Sequence, residues 1–135
     1  MDPRISVVTL GTDNLQRATR FYRDVLDLPM QEGDDGISFF ETAGCWLALY
    51  PWEDLADDAC VEPDRERSGF RGFTLAHNVG SREAVDALLE EVEAGGASVV
   101  CPPEEKEWGG YSGYFADPDG FLWEVAWNPQ FDLPD

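Results

Sequence analysis

One acidic residue stands out in the last predicted strand of this 135-residue chain. Glu124 lies in the segment FLWEVAW (121–127), among apolar neighbours, and the segment follows the turn DPDG at 117–120. A carboxylate at such a position can serve as a metal ligand, as a general base for proton abstraction, or as an ordinary polar residue on an exposed strand face. The residues themselves leave these three interpretations open, and the function depends on which one holds.

Histidine and aromatic side chains supply further groups for acid–base or binding chemistry. His77, the single histidine, lies in the predicted strand FTLAHNV (73–79). It is a candidate proton shuttle or polar anchor for a ligand, and equally a partly exposed residue at a strand end. The segment EWGGYSGY predicts that Trp108, Tyr111 and Tyr114 stack on a ligand, with the tyrosine hydroxyls orienting it. The alternative is that these rings pack in a dimer interface or hold the inserted loop in place.

The cysteines do not indicate a catalytic or metal-binding role. Cys45, Cys60 and Cys101 are odd in number, lack CxxC spacing and have no histidine beside them. This pattern predicts reduced thiols in a cytoplasmic protein rather than a disulfide framework or a zinc cluster. The N-terminal stretch MDPRISVVTLG has no basic segment followed by a long apolar run, so we expect no signal peptide. No apolar stretch is long enough to span a bilayer.

The formal net charge of −19 is extreme, with 28 acidic residues against 9 Lys and Arg. A surface this negative repels nucleic acid and anionic membranes, because binding to both requires basic residues. The acidic residues are dispersed along the whole chain, which favours adaptation to high salt over a site for a basic partner. Since 43% of the residues are hydrophobic, a packed core is still expected.

The hydrophobic pattern describes two similar halves, each a strand, a helix and three further strands. In the first half the predicted strands are 4–10, 29–33, 37–42 and 45–50, with a helix between the first two. In the second half they are 73–79, 97–101, 110–116 and 121–127, with a helix capped by Ser81. We therefore predict a single α+β domain, with β-α-β-β-β modules at 1–60 and 70–135 and an acidic linker at 61–69.

Paired modules of this kind, with DPDG and an acid on the last strand, resemble the vicinal-oxygen-chelate superfamily. That superfamily includes glyoxalase I, extradiol dioxygenases and bleomycin-resistance proteins, and the resemblance covers essentially the whole chain. Its most specific part is WGGYSGYFADPDGFLWEVAWNP, which is similar to a glyoxalase-like subgroup. The resemblance implies a U-shaped mixed sheet around a small-molecule cavity, helices on the convex face, and a homodimer.

Metal-dependent members of the superfamily place their ligands on the first, fourth, fifth and eighth strands. Carried over to this chain, those positions fall at or next to Val7 and on Ala48, Phe73 and Glu124, so Glu124 alone keeps a ligand type. One carboxylate does not hold a divalent ion, because such sites need three or four protein ligands. Phe73 and Trp46 are then expected either to line an apolar ligand cavity or to fill the space that metal and substrate occupy in relatives.

We therefore expect a glyoxalase-like protein that binds a small organic molecule without a metal cofactor, with weak acid–base chemistry through Glu124. The first alternative is a metal-dependent lyase, isomerase or dioxygenase with a non-standard ligand set, such as Glu124 together with His77 and Glu41. The second alternative is a non-catalytic interaction domain whose cavity is filled by its own side chains.

Overall fold

The structure is a computed structural model, and it describes residues 1–32, 36–64, 66 and 69–130. The chain divides into two compact units, one ending at Gly69 and the other beginning at Phe70. Each unit contains one sheet with its own helices, so the α+β class predicted from the sequence is confirmed. Within the described ranges, no helix is long and apolar enough to cross a membrane.

The first unit follows the predicted order of strand, helix and strands. Its elements are strand β1 (Val7–Thr12), helix α1 (Leu15–Arg20), a π-helical turn (Phe21–Val25), strand β2 (Ser38–Glu41), strand β3 (Trp46–Pro51) and helix α2 (Trp52–Asp58). Helix α1 starts where the side chain of Asn14 accepts a hydrogen bond from the N–H of Arg17 at 3.0 Å. The strand order is β1-β3-β2, with β1 parallel and β2 antiparallel to β3.

The core of the first unit lies between its sheet and the helical segment 15–25. Tyr22 and Phe40 are fully buried, with their ring centroids 6.1 Å apart. Beside them, the hydroxyls of Thr19 and Ser38 share a buried hydrogen bond of 2.8 Å. This bond satisfies both buried hydroxyls at once and ties the helix to β2.

The strand predicted at 29–33 is the main error in the first unit. The pairing with β2 is limited to an isolated bridge between Met30 and Phe40, in which the Pro29 carbonyl accepts from the Glu41 N–H at 3.0 Å and the Gln31 N–H donates to the Phe39 carbonyl at 2.9 Å. Gly33 lies outside the described residues. Pro29 begins this segment and has no N–H to donate, so a regular ladder is harder to start there. The strand predicted at 4–10 is also displaced, because β1 begins only at Val7.

The second unit repeats this plan with a more complete sheet. It contains strand β4 (Leu75–Val79), helix α3 (Arg82–Ala94), strand β5 (Ser98–Glu105), strand β6 (Tyr111–Ala116) and strand β7 (Leu122–Trp127). The order is β4-β7-β6-β5, with β4 parallel to β7 and the other pairs antiparallel. In both units, therefore, the first strand pairs in parallel with the last.

Strand β5 is longer than predicted and runs through Pro102 and Pro103. Two consecutive prolines are tolerated because β5 is an edge strand, where an N–H that points away from β6 has no partner, and because its pairing with β6 is interrupted between Cys101 and Glu104. The pairing with β6 also shifts register between Val99 and Cys101 and again between Cys101 and Glu104. These irregularities bend β5 and change which of its side chains face α3.

The turn predicted at 117–120 joins β6 to β7 and is held by one buried side chain. Asp117 accepts hydrogen bonds through Oδ1 from the N–H groups of Asp119, at 2.9 Å, and Phe121, at 2.8 Å. Gly120 has a φ of +87°, a conformation that favours glycine. The turn sets the register in which β7 returns along β6, and it thereby fixes which residues stand opposite Glu124.

Candidate functional site

Helix α3 packs on one face of the second sheet, which we call the α3 face. The hydroxyl of Tyr111 donates a 2.7 Å hydrogen bond to Asp86 of α3, and the Arg82 guanidinium lies 4.4 Å from the centre of the Trp127 ring. Tyr111 and Trp127 are paired across β6 and β7. Because side chains alternate along strands, the α3 face carries the odd-numbered residues of these two strands.

The opposite face, which we call the Glu124 face, is defined by Glu124, Tyr114 and Ser112. Glu124 stands directly opposite Tyr114 on β6 and beside Ala76 on β4. Glu124 and Tyr114 are both half-buried, which is suitable for side chains that meet a ligand. A carboxylate and a phenol in direct cross-strand register form a pair that can hold and move a proton.

The environment of Tyr114 favours its protonated form. Burial raises the pKa of the Tyr114 hydroxyl above its ordinary value, and the negative charge of Glu124 raises that pKa further. The positive charge of Lys106 opposes this increase. Tyr114 is therefore a neutral hydrogen-bond donor throughout the physiological pH range.

Strand β5 and the residue that follows it bring three further polar groups to the Glu124 face. Cys101 pairs in register with Tyr114, and Glu104 pairs with Ser112. Lys106 forms an ion pair with Glu104 at 3.1 Å. The thiol of Cys101 was not expected on the Glu124 face, because the register shifts that place it there leave no clear signal in the sequence.

Ser112 is the other member of this face that the sequence analysis missed. It is fully buried, and its hydroxyl has no hydrogen-bond partner among the described residues. It lies two residues from Tyr114 on the same strand, so both side chains project from the same face. That parity was readable in the segment YSGY, where only the aromatic residues had been considered.

His77 lies on the opposite face of the sheet from Glu124. Its register partner on β7 is Val125, whereas the partner of Glu124 is Ala76. A site built from His77 and Glu124 on one face, as the alternative metal set required, is therefore not formed in this sheet. His77 is exposed near the end of β4, in agreement with the simpler interpretation of a residue at a strand end.

Phe73 and Tyr111 are also separated from Glu124. Phe73 lies before β4 and is 41% exposed, with its ring 5.8 Å from that of Phe121. Tyr111 belongs to the α3 face through its bond to Asp86, although it had been grouped with Tyr114 as one ligand-binding cluster. The two tyrosines are three residues apart in one strand, so they point in opposite directions.

The two remaining residues that were predicted to bind a ligand are Trp108 and Trp46, and neither belongs to the Glu124 face. Trp108 is 50% exposed in the connection between β5 and β6, and its ring lies over Gly110, where an added Cβ would be only 1.9 Å from the ring. Trp46 is 38% exposed in the first unit, where it pairs with Val7 and Glu41 and contacts the Phe39 ring at 6.4 Å. Neither position tests the predicted role in ligand binding.

A cavity of about 290 Å³ opens between α3 and the bulged part of β5. Its floor is apolar, formed by Leu89, Val99, Pro102 and Pro103, and carboxylates from α3 line its rim. The cavity lies on the α3 side of the sheet and contains neither Glu124 nor Tyr114. The side chains that line it include carboxylates but no hydrogen-bond donor. It therefore lacks the combination of acceptor and donor that Glu124 and Tyr114 provide on the Glu124 face.

The fold and its acid on the last strand define a glyoxalase-like domain. The sequence model of the Glyoxalase/Bleomycin resistance protein/Dioxygenase superfamily matches residues 4–125. The chain therefore belongs to this superfamily, as the resemblance had indicated.

Individual relatives agree with this assignment. The chain is 34% identical to a glyoxalase-related enzyme from Fulvimarina pelagi, over 94% of this chain and 89% of that one, with a TM-score of 0.85. It is 25% identical to a glyoxalase/bleomycin resistance protein/dioxygenase from Nocardioides, over 100% and 89% of the two chains, with a TM-score of 0.82. It is also 29% identical to metallothiol transferase FosB from Shouchella clausii (strain KSM-K16), over 90% of this chain and 77% of FosB.

The donor groups of this chain do not fit the metal site that the superfamily implies. The strand neighbours of Glu124 are Ala76 and Tyr114, and the first-unit positions carried over from metal-dependent members hold Val7 and Ala48. Among the residues that the structure describes, no three His, Cys, Asp or Glu side chains group so as to hold a metal ion. Divalent metals need several nitrogen, sulfur or carboxylate ligands, and this chain supplies Glu124 alone at those positions.

Proposed function

We propose that this glyoxalase-like protein binds a small organic molecule on the Glu124 face of its second unit, without a protein-bound metal. The observation that carries the proposal is the direct opposition of Glu124 and Tyr114 across β7 and β6. The pair combines a carboxylate acceptor with a phenol whose raised pKa keeps it protonated. Convergent polar groups among apolar neighbours are typical of small-molecule sites.

The same pair supports weak acid–base chemistry. The carboxylate of Glu124 would accept a proton from a ligand C–H or O–H group, and the neutral Tyr114 would donate a hydrogen bond to the negative charge that develops on the ligand. The proton would then return from Glu124 to the ligand at a different atom or at the same one. An isomerisation or exchange of this type needs no electron transfer and no second substrate.

The finer biological setting is part of this proposal. Three thiols outside any disulfide support a cytoplasmic protein, and the strongly negative charge supports a high-salt habitat. A homodimer is expected from the superfamily resemblance, and light scattering of purified protein would measure the assembly directly. The similarity to an enzyme named a metallothiol transferase favours metal-dependent catalysis as the second candidate function.

Metal content separates the two candidates. Tag-free protein, purified in high salt and then offered nickel, zinc, manganese and iron(II), is analysed by mass spectrometry. We expect no stoichiometric metal in the parent protein. Near-stoichiometric metal that disappears in Glu124→Gln would overturn the metal-free proposal and favour the second candidate.

Ligand binding tests the proposed face itself. A library of neutral, cationic and anionic fragments is screened by thermal shift against the parent protein, Glu124→Gln and Tyr114→Phe. Two matched variants on the α3 face, Glu105→Gln and Tyr111→Phe, serve as controls. We expect compounds that bind the parent protein and both controls but not Glu124→Gln or Tyr114→Phe. Compounds that bind all of the variants equally would indicate a ligand site elsewhere.

A further inference from the structure

The cavity between α3 and β5 is formed by an irregularity of the strand. The pairing of β5 with β6 shifts register between Val99 and Glu104. Pro102 and Pro103 are consecutive in this stretch, and both line the cavity. In a regular strand, two consecutive residues face opposite sides of the sheet, so the irregular backbone is what opens this space beneath α3. The volume of about 290 Å³ is near the lower end of the roughly 300–1,000 Å³ that is common for small-molecule pockets.

The floor of the cavity is suited to an apolar group. Leu89 and Val99 contribute aliphatic side chains, and Pro102 and Pro103 contribute their rings. Proline has no backbone N–H, so the wall formed by these two residues cannot donate a hydrogen bond from its backbone. A carboxylate or a phosphate would therefore find no donor there, whereas an aliphatic or aromatic group would be removed from water.

The rim of the cavity is negatively charged. Its three carboxylates belong to Asp86, Glu90 and Glu93 of α3. Successive members are four and three residues apart, so they lie along one side of the helix. The hydroxyl of Tyr111 donates to Oδ1 of Asp86 at 2.7 Å and orients this carboxylate. In the part of the chain that the structure describes, the carboxylates of Glu90 and Glu93 form no ion pair or hydrogen bond.

Helix α3 has no basic side chain of its own to neutralise this rim. Its one basic residue is Arg82, which donates to both oxygens of Glu105, at 2.6 and 3.2 Å, and stacks over the Trp127 ring. A divalent ion does not fit the rim, because no three acidic, histidine or cysteine side chains of the described ranges group closely enough to hold one. The charge and the apolar floor together match an organic cation.

We propose that the cavity between α3 and β5 is a second ligand site, which binds a small organic amine with its apolar body on the floor and its ammonium group at the carboxylates of the rim. The site is independent of the proposed function, since it lies on the opposite face of the sheet from Glu124 and uses other residues. Exposed ion pairs contribute little by themselves and are screened by salt, so both parts of the ligand are needed.

The first test compares an amine with a neutral compound of the same shape. Cyclohexylmethylamine and cyclohexylmethanol are titrated into the ¹⁵N-labelled full chain at low salt, and binding is followed by nuclear magnetic resonance. We expect the amine to shift the amide signals of α3 and β5 and to bind about threefold to tenfold more tightly than the alcohol. Equal affinities, or no shift of these signals, would overturn the proposal. Methylamine has no apolar body, so equally tight binding of methylamine would reduce the site to a counterion effect and also overturn it.

The second test changes the rim. The double variant Glu90→Gln with Glu93→Gln removes two exposed carboxylates of the cavity, and Glu83→Gln with Glu91→Gln removes two exposed carboxylates of α3 outside it. We expect the first variant to weaken the amine about threefold to tenfold without changing the alcohol, and the second to have less than about a twofold effect. Equal weakening by both would indicate general attraction to an acidic surface and would overturn the proposal.

A third variant separates this inference from the proposed function. The amine should bind Glu124→Gln as tightly as it binds the parent protein, because Glu124 does not line the cavity. Loss of amine binding in Glu124→Gln would assign the amine to the Glu124 face and would overturn the second site. The proposed function fails on a different result, namely that no compound of the fragment library depends on Glu124.

Discussion

Tyr114 and Glu124 stand directly opposite each other on β6 and β7, on the face of the second sheet that α3 does not cover. Burial is the main reason why the pKa of Tyr114 is raised, and the charge of Glu124 is the second reason. The two causes can be separated by experiment, because one substitution removes the charge and leaves the burial in place.

Glu124→Gln should lower the pKa of Tyr114 toward its ordinary value without fully restoring it. Loss of the negative neighbour makes the tyrosinate less unfavourable, while burial still opposes it. An ultraviolet titration of tyrosinate formation, with Tyr114→Phe used to assign the transition, measures the change. An unaltered titration in Glu124→Gln would show that the two side chains do not interact.

Gly113→Ala should destabilise the protein, although it adds only one methyl group. A Cβ at Gly113 would lie 2.8 Å from the carbonyl oxygen of Cys101, 2.8 Å from Cδ1 of Leu89 and 2.9 Å from the nitrogen of Pro103. Two of these contacts are backbone atoms that cannot rotate away, so we expect a loss of about 1–3 kcal/mol in the free energy of unfolding. Urea denaturation gives the value.

Gly36→Ala is the matched control for this substitution, because nothing lies within 4 Å of an added Cβ there. It should leave the stability unchanged or raise it slightly. Equal effects of the two substitutions would contradict the close approach of β5 and α3 to β6.

Tyr111→Phe should weaken the protein below about pH 10 and have less effect above it. The bond to Asp86 is the main cause of the raised pKa of Tyr111, so its stabilisation is fully present below the ordinary tyrosine pKa. That stabilisation is lost as the pH rises through the raised value. At neutral pH we expect a loss of about 0.5–1 kcal/mol, at the low end for a partly exposed bond.

Urea denaturation of Tyr111→Phe and of the parent protein, at several pH values from about 7 to about 11, measures this pH dependence. The range spans the ordinary tyrosine pKa of about 10 and extends as far as the parent protein remains folded. Asp86→Asn, which keeps an acceptor but removes the charge, should reduce the pH dependence. A stability gap that is the same at both ends of the range would argue against the Tyr111–Asp86 bond.

Salt should raise the melting temperature of this protein strongly. With a net charge of −19, the negative side chains of the folded protein repel one another at low ionic strength. Raising NaCl from about 0.1 M to about 1 M shortens the Debye length from about 10 Å to about 3 Å, which screens this repulsion. Replacing the exposed acids Glu62 and Glu107 by lysine should flatten the dependence. A melting temperature that does not change with salt concentration would remove the support for a high-salt habitat.

The sequence predicted the class of fold because the order of elements leaves a strong local signal. Turn residues such as those at 117–120 and the apolar spacing of α3 were sufficient to identify the repeat. Strand β5 was harder, since Pro102 and Pro103 argue against a strand unless it is known to lie at an edge. Edge position is a property of the assembled sheet and not of the segment.

The candidate site was only partly predictable, for a reason that concerns register. Sequence alone does not tell whether His77 or Ala76 stands beside Glu124, because β4 and β7 are distant in the chain and a slip of one residue exchanges the two faces. Within a single strand no such ambiguity exists. The opposite orientations of Tyr111 and Tyr114, and the alignment of Ser112 with Tyr114, follow from counting residues.

The last described strand of the second unit is one of the two central strands of its sheet. Strand β7 pairs with both β4 and β6. Strand β4 therefore has no partner in the sheet until β7 forms and Leu75 pairs with Trp123. During synthesis on the ribosome, the second unit can build the β5–β6 hairpin early, but β4 remains an unpaired edge until residue 127 has left the exit tunnel. A nascent chain halted after the turn at 117–120 would therefore contain β4 and the β5–β6 hairpin without the strand that joins them. The edges of β4 and β6 that β7 covers in the folded unit would be open to pairing with other chains.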